Sequence, residues 1–175
     1  MLAIDASPLG IRVCRKRGVK HAKVLSVTEL SRKLGTFDTI LMFGNNFGLM
    51  GNPRRARWLL RRFDRMTPDD GIIIAGSGDL NRTTDPTCCA KMARNVKKGR
   101  LPGEFRLRPK YRHYISPPVL WLYASKDDMM AILKPTAWQV TNFFDDRQPS
   151  GAFVALIEKK NCRTKASSRR PRSRG

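Results

Sequence analysis

Four short apolar runs set the terms on which this 175-residue chain can fold. They are LAID at residues 2–5, AKVLSV around Val24, FDTILMF at 37–43, and GIIIAGS, which holds 72–77. Such runs are short and nearly unbroken by polar residues, as expected of strands covered on both faces. Helix signals lie between them. Ser7 is a good N-cap, Pro8 suits the first helical position, and Leu9, Val13 and Cys14 form the expected inner face before Gly18 stops the helix. TELSRKLG is a further candidate helix, and GNNFGLMG is a glycine-rich loop. Asn52 and Pro53 then start a helix whose Ala56, Leu59, Leu60 and Phe63 form a stripe at helical spacing. Apolar strands separated by helices predict an α/β fold with a mainly parallel sheet.

From Asp79 the alternation breaks. DPTCCAKMARNVKKGR reads as a helix, and EFRLRPKYRHYISPPVLWLYAS alternates apolar and polar residues as two antiparallel strands would. Ser125 caps a helix over KDDMMAILK, with Asp127 and Asp128 at its positive end. AWQVTNFF and GAFVALIEKK, joined by DDRQPS, close the pattern as an antiparallel hairpin. The expected organisation is one domain over residues 1–160, with an insertion at about 79–125, and a basic tail over 161–175. The tail NCRTKASSRRPRSRG has no acid and almost no apolar residue, so disorder is expected there.

Charge narrows the partners. Thirty-five Lys and Arg oppose fourteen acids, a formal +21, and such a field attracts nucleic acid and other polyanions whatever the fold. NPRRARWLLRRFDRM and the tail concentrate it, although Arg also populates ordinary solvated helix faces. Cys14, Cys88, Cys89 and Cys162 form no C-x-x-C pair, and His21 and His113 are the sole imidazoles, so neither a metal site nor a disulfide framework is expected. No apolar run approaches the ~20 residues needed to cross a bilayer, and the start lacks a signal peptide's layout; a cytoplasmic protein without membrane contact is the expectation.

An acid ending a parallel strand before a tight turn into a helix can accept hydrogen bonds from both hydroxyls of a ribose. Asp5 stands at such a place, although an acid there is also an ordinary helix-flanking residue. The order of pieces goes further. Asp5 followed by Ser7-Pro8 with Ile11 and Val13, a further strand, and then Phe37-Asp38-Thr39-Ile40-Leu41-Met42 resembles the middle of a class I S-adenosylmethionine-dependent methyltransferase. The resemblance continues through the helix at 53–66, the strand at 72–77 and the final hairpin, covering about residues 1–160.

That resemblance implies a Rossmann-like, doubly wound and mainly parallel sheet, with an antiparallel C-terminal hairpin and a small inserted β/α segment. It implies S-adenosyl-L-methionine as cofactor and transfer of its methyl group to an acceptor that the sequence does not name. Asp5 would hold the ribose, with Ala6 and Ser7 beside it and Ala6 against the adenine. Phe43, Gly44 and Asn45, with Asn46, would lie near the methionine part and the acceptor; GNN is equally suited to a plain turn.

Two departures stand out. Where many members place an adenine-binding Asp after the third strand, this chain reads Ser26-Val27-Thr28-Glu29, leaving Thr28 and Glu29 as candidates. The family's D-x-G-x-G loop has no counterpart in these 175 residues. The expectation is therefore a fragment carrying half of a cofactor site, with the activity of the chain as written left open by the missing loop. No catalytic residue and no oligomeric state can be named from the sequence. Tyr111, His113, Tyr114 and Trp121 among Arg106, Arg108 and Arg112 suit base stacking with phosphate contact, and suit a wet amphipathic strand pair equally. The alternative of a non-catalytic nucleic-acid-binding protein rests on the +21 charge and the Arg-rich tail.

Overall fold

The computed structural model describes residues 1–146 and 151–160. The expected basic tail, and most of the turn in DDRQPS, lie outside those residues.

The first strand, β1 (Ala3–Asp5), runs into helix α1 (Pro8–Lys16) and then strand β2 (Ala22–Val24). β1 and β2 pair in parallel, with Ala3 opposite Ala22 and Asp5 opposite Val24. The Ser7 side chain caps α1 by accepting from the Gly10 N–H, and Gly18 leaves the helix at φ +85°. Strand β3 (Thr39–Met42), helix α2 (Pro53–Arg65) and strand β4 (Ile72–Gly78) form the next unit, again with parallel strands.

Helix α3 (Pro86–Lys97) and strands β5 (Glu104–Leu107), β6 (Lys110–Tyr111), β7 (Tyr114–Ile115) and β8 (Val119–Leu122) make up the inserted segment. Helix α4 (Lys126–Leu133) leads to β9 (Trp138–Asp145) and β10 (Ala152–Lys159). The main sheet runs β3-β4-β10-β9, with β10 antiparallel to both neighbours. The fold is the expected mixed α/β arrangement: parallel β-α-β units with an antiparallel C-terminal hairpin.

The core lies where α2 and α4 meet this sheet. Ala56, Leu59, Leu60 and Phe63 of α2 are all buried, as the stripe predicts, against Ile73, Ala155 and Ile157 of the sheet and Met129, Ile132 and Leu133 of α4. Burying each such large aliphatic or aromatic side chain contributes ~1.5–3 kcal/mol. Trp138 joins strand to helix, its indole N–H donating to the Leu60 carbonyl at 3.1 Å from a fully buried position. Lys159, its ladder partner on β10, does the same beside it, donating to the Asp64 and Thr67 carbonyls and pairing with the Asp64 carboxylate at 3.0 Å.

Several sequence expectations need correction. Leu9 and Val13 do not form an inner face on α1; they are 65% and 48% exposed, and Ile11 alone is buried there. The apolar run at β3 is not covered on both faces, because Leu41 and Phe43 stay more than half exposed. TELSRKLG is two short 3-10 turns, Val27–Glu29 and Arg32–Leu34, rather than one helix. Ser26, just before it, and Glu29 close a reciprocal cap at the start of the first turn. The expected strand pair after α3 is two ladders: β5 with β8, and the small hairpin of β6 with β7. The glycine-rich loop after β3 contains a 3-10 turn (Asn46–Met50) that buries Phe47 and Met50 completely.

Candidate functional site

The carboxyl ends of β1 and β2 lie together, since the Leu25 N–H donates to the Asp5 carbonyl at 2.9 Å. Asp5 itself is exposed, and its Oδ1 accepts from the Ser7 N–H at 2.7 Å. Its Oδ2 accepts no hydrogen bond among the described residues. That oxygen lies against Gly10, where a Cβ would come within 2.9 Å. The helix start thus holds one carboxylate oxygen, while the other keeps its lone pairs for another donor. This geometry serves the helix-flanking role and leaves the ribose role chemically open. Gly10 went unnoticed in the sequence, where a lone glycine inside a helix carries little signal.

Ser26–Glu29 follows β2. The Ser26 N–H donates to Glu29 Oε2 at 2.8 Å, the Thr28 N–H donates to Ser26 Oγ at 3.3 Å, and the two hydroxyls of Ser26 and Thr28 lie 2.8 Å apart. Thr28 and Glu29 are therefore engaged first with their own turn.

Phe43, Gly44 and Asn45 follow β3, with Gly44 at φ +59°. A Cβ on Gly76 of β4 would meet the Gly44 nitrogen at 3.2 Å, so two backbones approach closely there. A glycine inside an apolar strand is the signal for such an approach. Asn45 presents a buried Oδ1 with no hydrogen-bond partner among the described residues. A buried amide acceptor left alone forgoes a stabilising bond, so it is an orphan suited to a ligand donor or a water. No hydrogen bond among the described residues joins this loop to Asp5 or to Ser26–Glu29.

The inserted segment touches the same loop. Trp121 of β8 covers Gly48 so tightly that a Cβ there would meet its indole Nε1 at 2.2 Å. The outer hairpin carries Tyr111 and Tyr114, each 69% exposed, with Arg112 over the Tyr111 ring and His113 stacked against Tyr114. Helix α3 has no buried residue. Burial, followed by the nearby Asp85 charge, raises the Cys88 thiol above its ordinary range. Among the described residues no cluster of His, Cys, Asp or Glu could hold a metal ion, and no helix is long and apolar enough to cross a membrane.

No protein-family model and no curated protein matches the chain. Solved structures do. A SAM-dependent methyltransferase from Bacteroides fragilis, in complex with S-adenosyl-L-homocysteine, is 25% identical with a TM-score of 0.71, over 90% of this chain and 62% of that one. A SAM-dependent methyltransferase from Methanosarcina mazei matches at 14% identity and TM-score 0.62, over 89% of this chain and 80% of that one. The 1,6-didemethyltoxoflavin-N1-methyltransferase from Burkholderia thailandensis, with 1,6-didemethyltoxoflavin and S-adenosylhomocysteine bound, matches at 15% identity and TM-score 0.55, over 91% of this chain and 61% of that one. The chain thus has the fold of the class I S-adenosylmethionine-dependent methyltransferases, as the order of its motifs implies. It spans about three-fifths of the length of the Bacteroides fragilis protein.

Proposed function

We propose that this chain is part of an S-adenosyl-L-methionine-dependent methyltransferase. The observation that carries the reading is the fold match at TM-score 0.71 to a methyltransferase holding S-adenosyl-L-homocysteine. The residues at the strand ends suit an adenosyl group. Asp5 keeps one carboxylate oxygen free for ribose hydroxyls, and the strand-end position is the usual one for such an acid. Asn45 offers a buried acceptor without a partner, which suits an ammonium or amide donor. Gly44 and Gly76 keep the backbone bare beside it. Thr28 and Glu29 stand as the adenine-side candidates.

The cofactor supplies an activated methyl on a sulfonium, so the protein's work is to position. In-line attack by an acceptor oxygen, nitrogen or carbon calls for orientation and water exclusion rather than for a covalent intermediate. The acceptor side is assigned to the inserted segment, whose β8 covers the loop after β3 through Trp121 and Leu120. The acceptor is read as a small molecule, the class named for the Burkholderia thailandensis neighbour. The nucleic-acid-binding alternative finds no support in these relatives.

Calorimetric titration with S-adenosyl-L-homocysteine tests the reading. Binding that weakens roughly tenfold or more in Asp5→Ala would support it, since a hydrogen bond to a charged group is worth about 1.5–3 kcal/mol. Undiminished binding in that variant would remove Asp5 from the site.

A further inference from the structure

A second place on the molecule has the makings of a binding site, away from the loop after β3. Along α2, Trp58, Arg61, Arg62 and Arg65 recur at three- and four-residue spacing and so share one face. That face meets the turn at Leu30–Arg32 and encloses a cavity of about 400 Å³, within the range of small-ligand pockets. Four guanidinium groups, those of Arg32, Arg61, Arg62 and Arg65, line it, and no carboxylate does.

The cavity has a fixed floor and a charged rim. Arg62 donates from Nη1 to the Leu30 carbonyl, and its guanidinium lies 4.1 Å over the Trp58 ring, so this cation is held in place before any ligand arrives. Arg32, Arg61 and Arg65 are exposed, and none has an ion-pair partner among the described residues. The two nearest acids in sequence are committed elsewhere. Asp64 pairs with Lys159, and Glu29 closes the cap on Ser26. Four like charges around one hollow repel each other, and an anion seated among them turns that repulsion into attraction. Planar guanidinium forks match phosphate oxygens two at a time.

We propose that this cavity binds a phosphate-bearing ligand, its oxyanions taken by Arg32, Arg61 and Arg65 against the preset Arg62–Trp58 pair. The site is independent of the cofactor reading. The phosphates belong either to a small ester or to a nucleic-acid backbone, and the two are separable by experiment.

The full chain, tail included, is titrated calorimetrically with sodium tripolyphosphate at low salt. Saturable one-site binding is expected, weakened roughly tenfold or more in the double variant Arg61→Ala/Arg65→Ala, because two charge-assisted contacts are lost. Both side chains are exposed, so the variant keeps its fold, which circular dichroism checks. Arg106→Ala/Arg108→Ala removes the same charge from exposed positions on the inserted segment and should leave the affinity within about twofold. Equal weakening by the two double variants would assign binding to the diffuse positive field and overturn the proposal. So would retention of full affinity in Arg61→Ala/Arg65→Ala, or the absence of saturable binding. A single-stranded oligouridylate carried through the same variants identifies the source. If it also loses affinity only in Arg61→Ala/Arg65→Ala, the cavity takes a nucleic-acid backbone. If tripolyphosphate alone responds, it takes a small phosphate ester.

Discussion

Gly10 and Gly48 show how a missing side chain can be a constraint. Alanine at position 10 would ordinarily favour a helix by up to ~1 kcal/mol. Here its Cβ would come 2.9 Å from Asp5 Oδ2, the free end of a side chain that can swing aside. The expected outcome for Gly10→Ala is an unfolding midpoint equal to or above the parent's, together with weaker S-adenosyl-L-homocysteine binding. Denaturant titration and calorimetry measure the two separately, and affinity unchanged beside a displaced Asp5 would argue against the ribose role. Gly48→Ala belongs to the opposite case. Its Cβ would meet the Trp121 ring at 2.2 to 2.8 Å, and that ring is held by the β5–β8 ladder. Overpacking of this kind destabilises by about 1–3 kcal/mol, and tryptophan emission should shift as the indole leaves its cover. A midpoint within error of the parent would show that the loop yields instead.

At the scale of elements, α3 is the least anchored helix of the fold. It buries no residue, so its start rests on Asp85, whose carboxylate accepts from the Thr87 and Cys88 N–H groups at 3.3 and 2.8 Å. Asp85→Ala removes that cap, a change worth about 0.5–2 kcal/mol. Faster amide exchange confined to residues 86–97, with the main sheet unaffected, is the expected result; global destabilisation would mean that α3 is tied into the core. The buried face of α2 was legible from its sequence and that of α1 was not, for a physical reason. Periodicity tells which side chains share a face, and α2 has a sheet and α4 to cover that face. On α1 the same pattern exists at Leu9 and Val13, yet no described element covers them. β3 repeats the point, since an apolar run says nothing about whether a second layer lies over Leu41 and Phe43. Of the candidate site residues, Asp5, Gly44 and Asn45 could be named from motif order. Gly10 and Gly76 could not, because each matters through a close approach, to Asp5 and to Gly44, that the sequence does not show; Trp121 stood out as an aromatic of the inserted segment, but its cover over Gly48 did not.

For the molecule as a whole, charge is the dominant long-range term. Thirty-five cations face fourteen acids, while the ion pairs among the described residues are Lys126–Asp145 and Lys159–Asp64. Repulsion therefore outweighs attraction in the folded state, where the cations are closest together. Added salt screens both over a distance that shrinks from about 30 Å at 0.01 M to about 8 Å at 0.15 M. The net effect should favour the folded chain, and each 1 kcal/mol gained raises the midpoint by roughly 2–4 °C at this size. Thermal melts in sodium chloride from low to physiological strength should show a rising midpoint; a falling one would mean that the two ion pairs outweigh the excess. Sodium tripolyphosphate at matched ionic strength separates general screening from a specific site. Screening alone predicts equal midpoints in the two salts. Occupation of the α2 cavity adds a further rise by mass action that Arg61→Ala/Arg65→Ala should abolish.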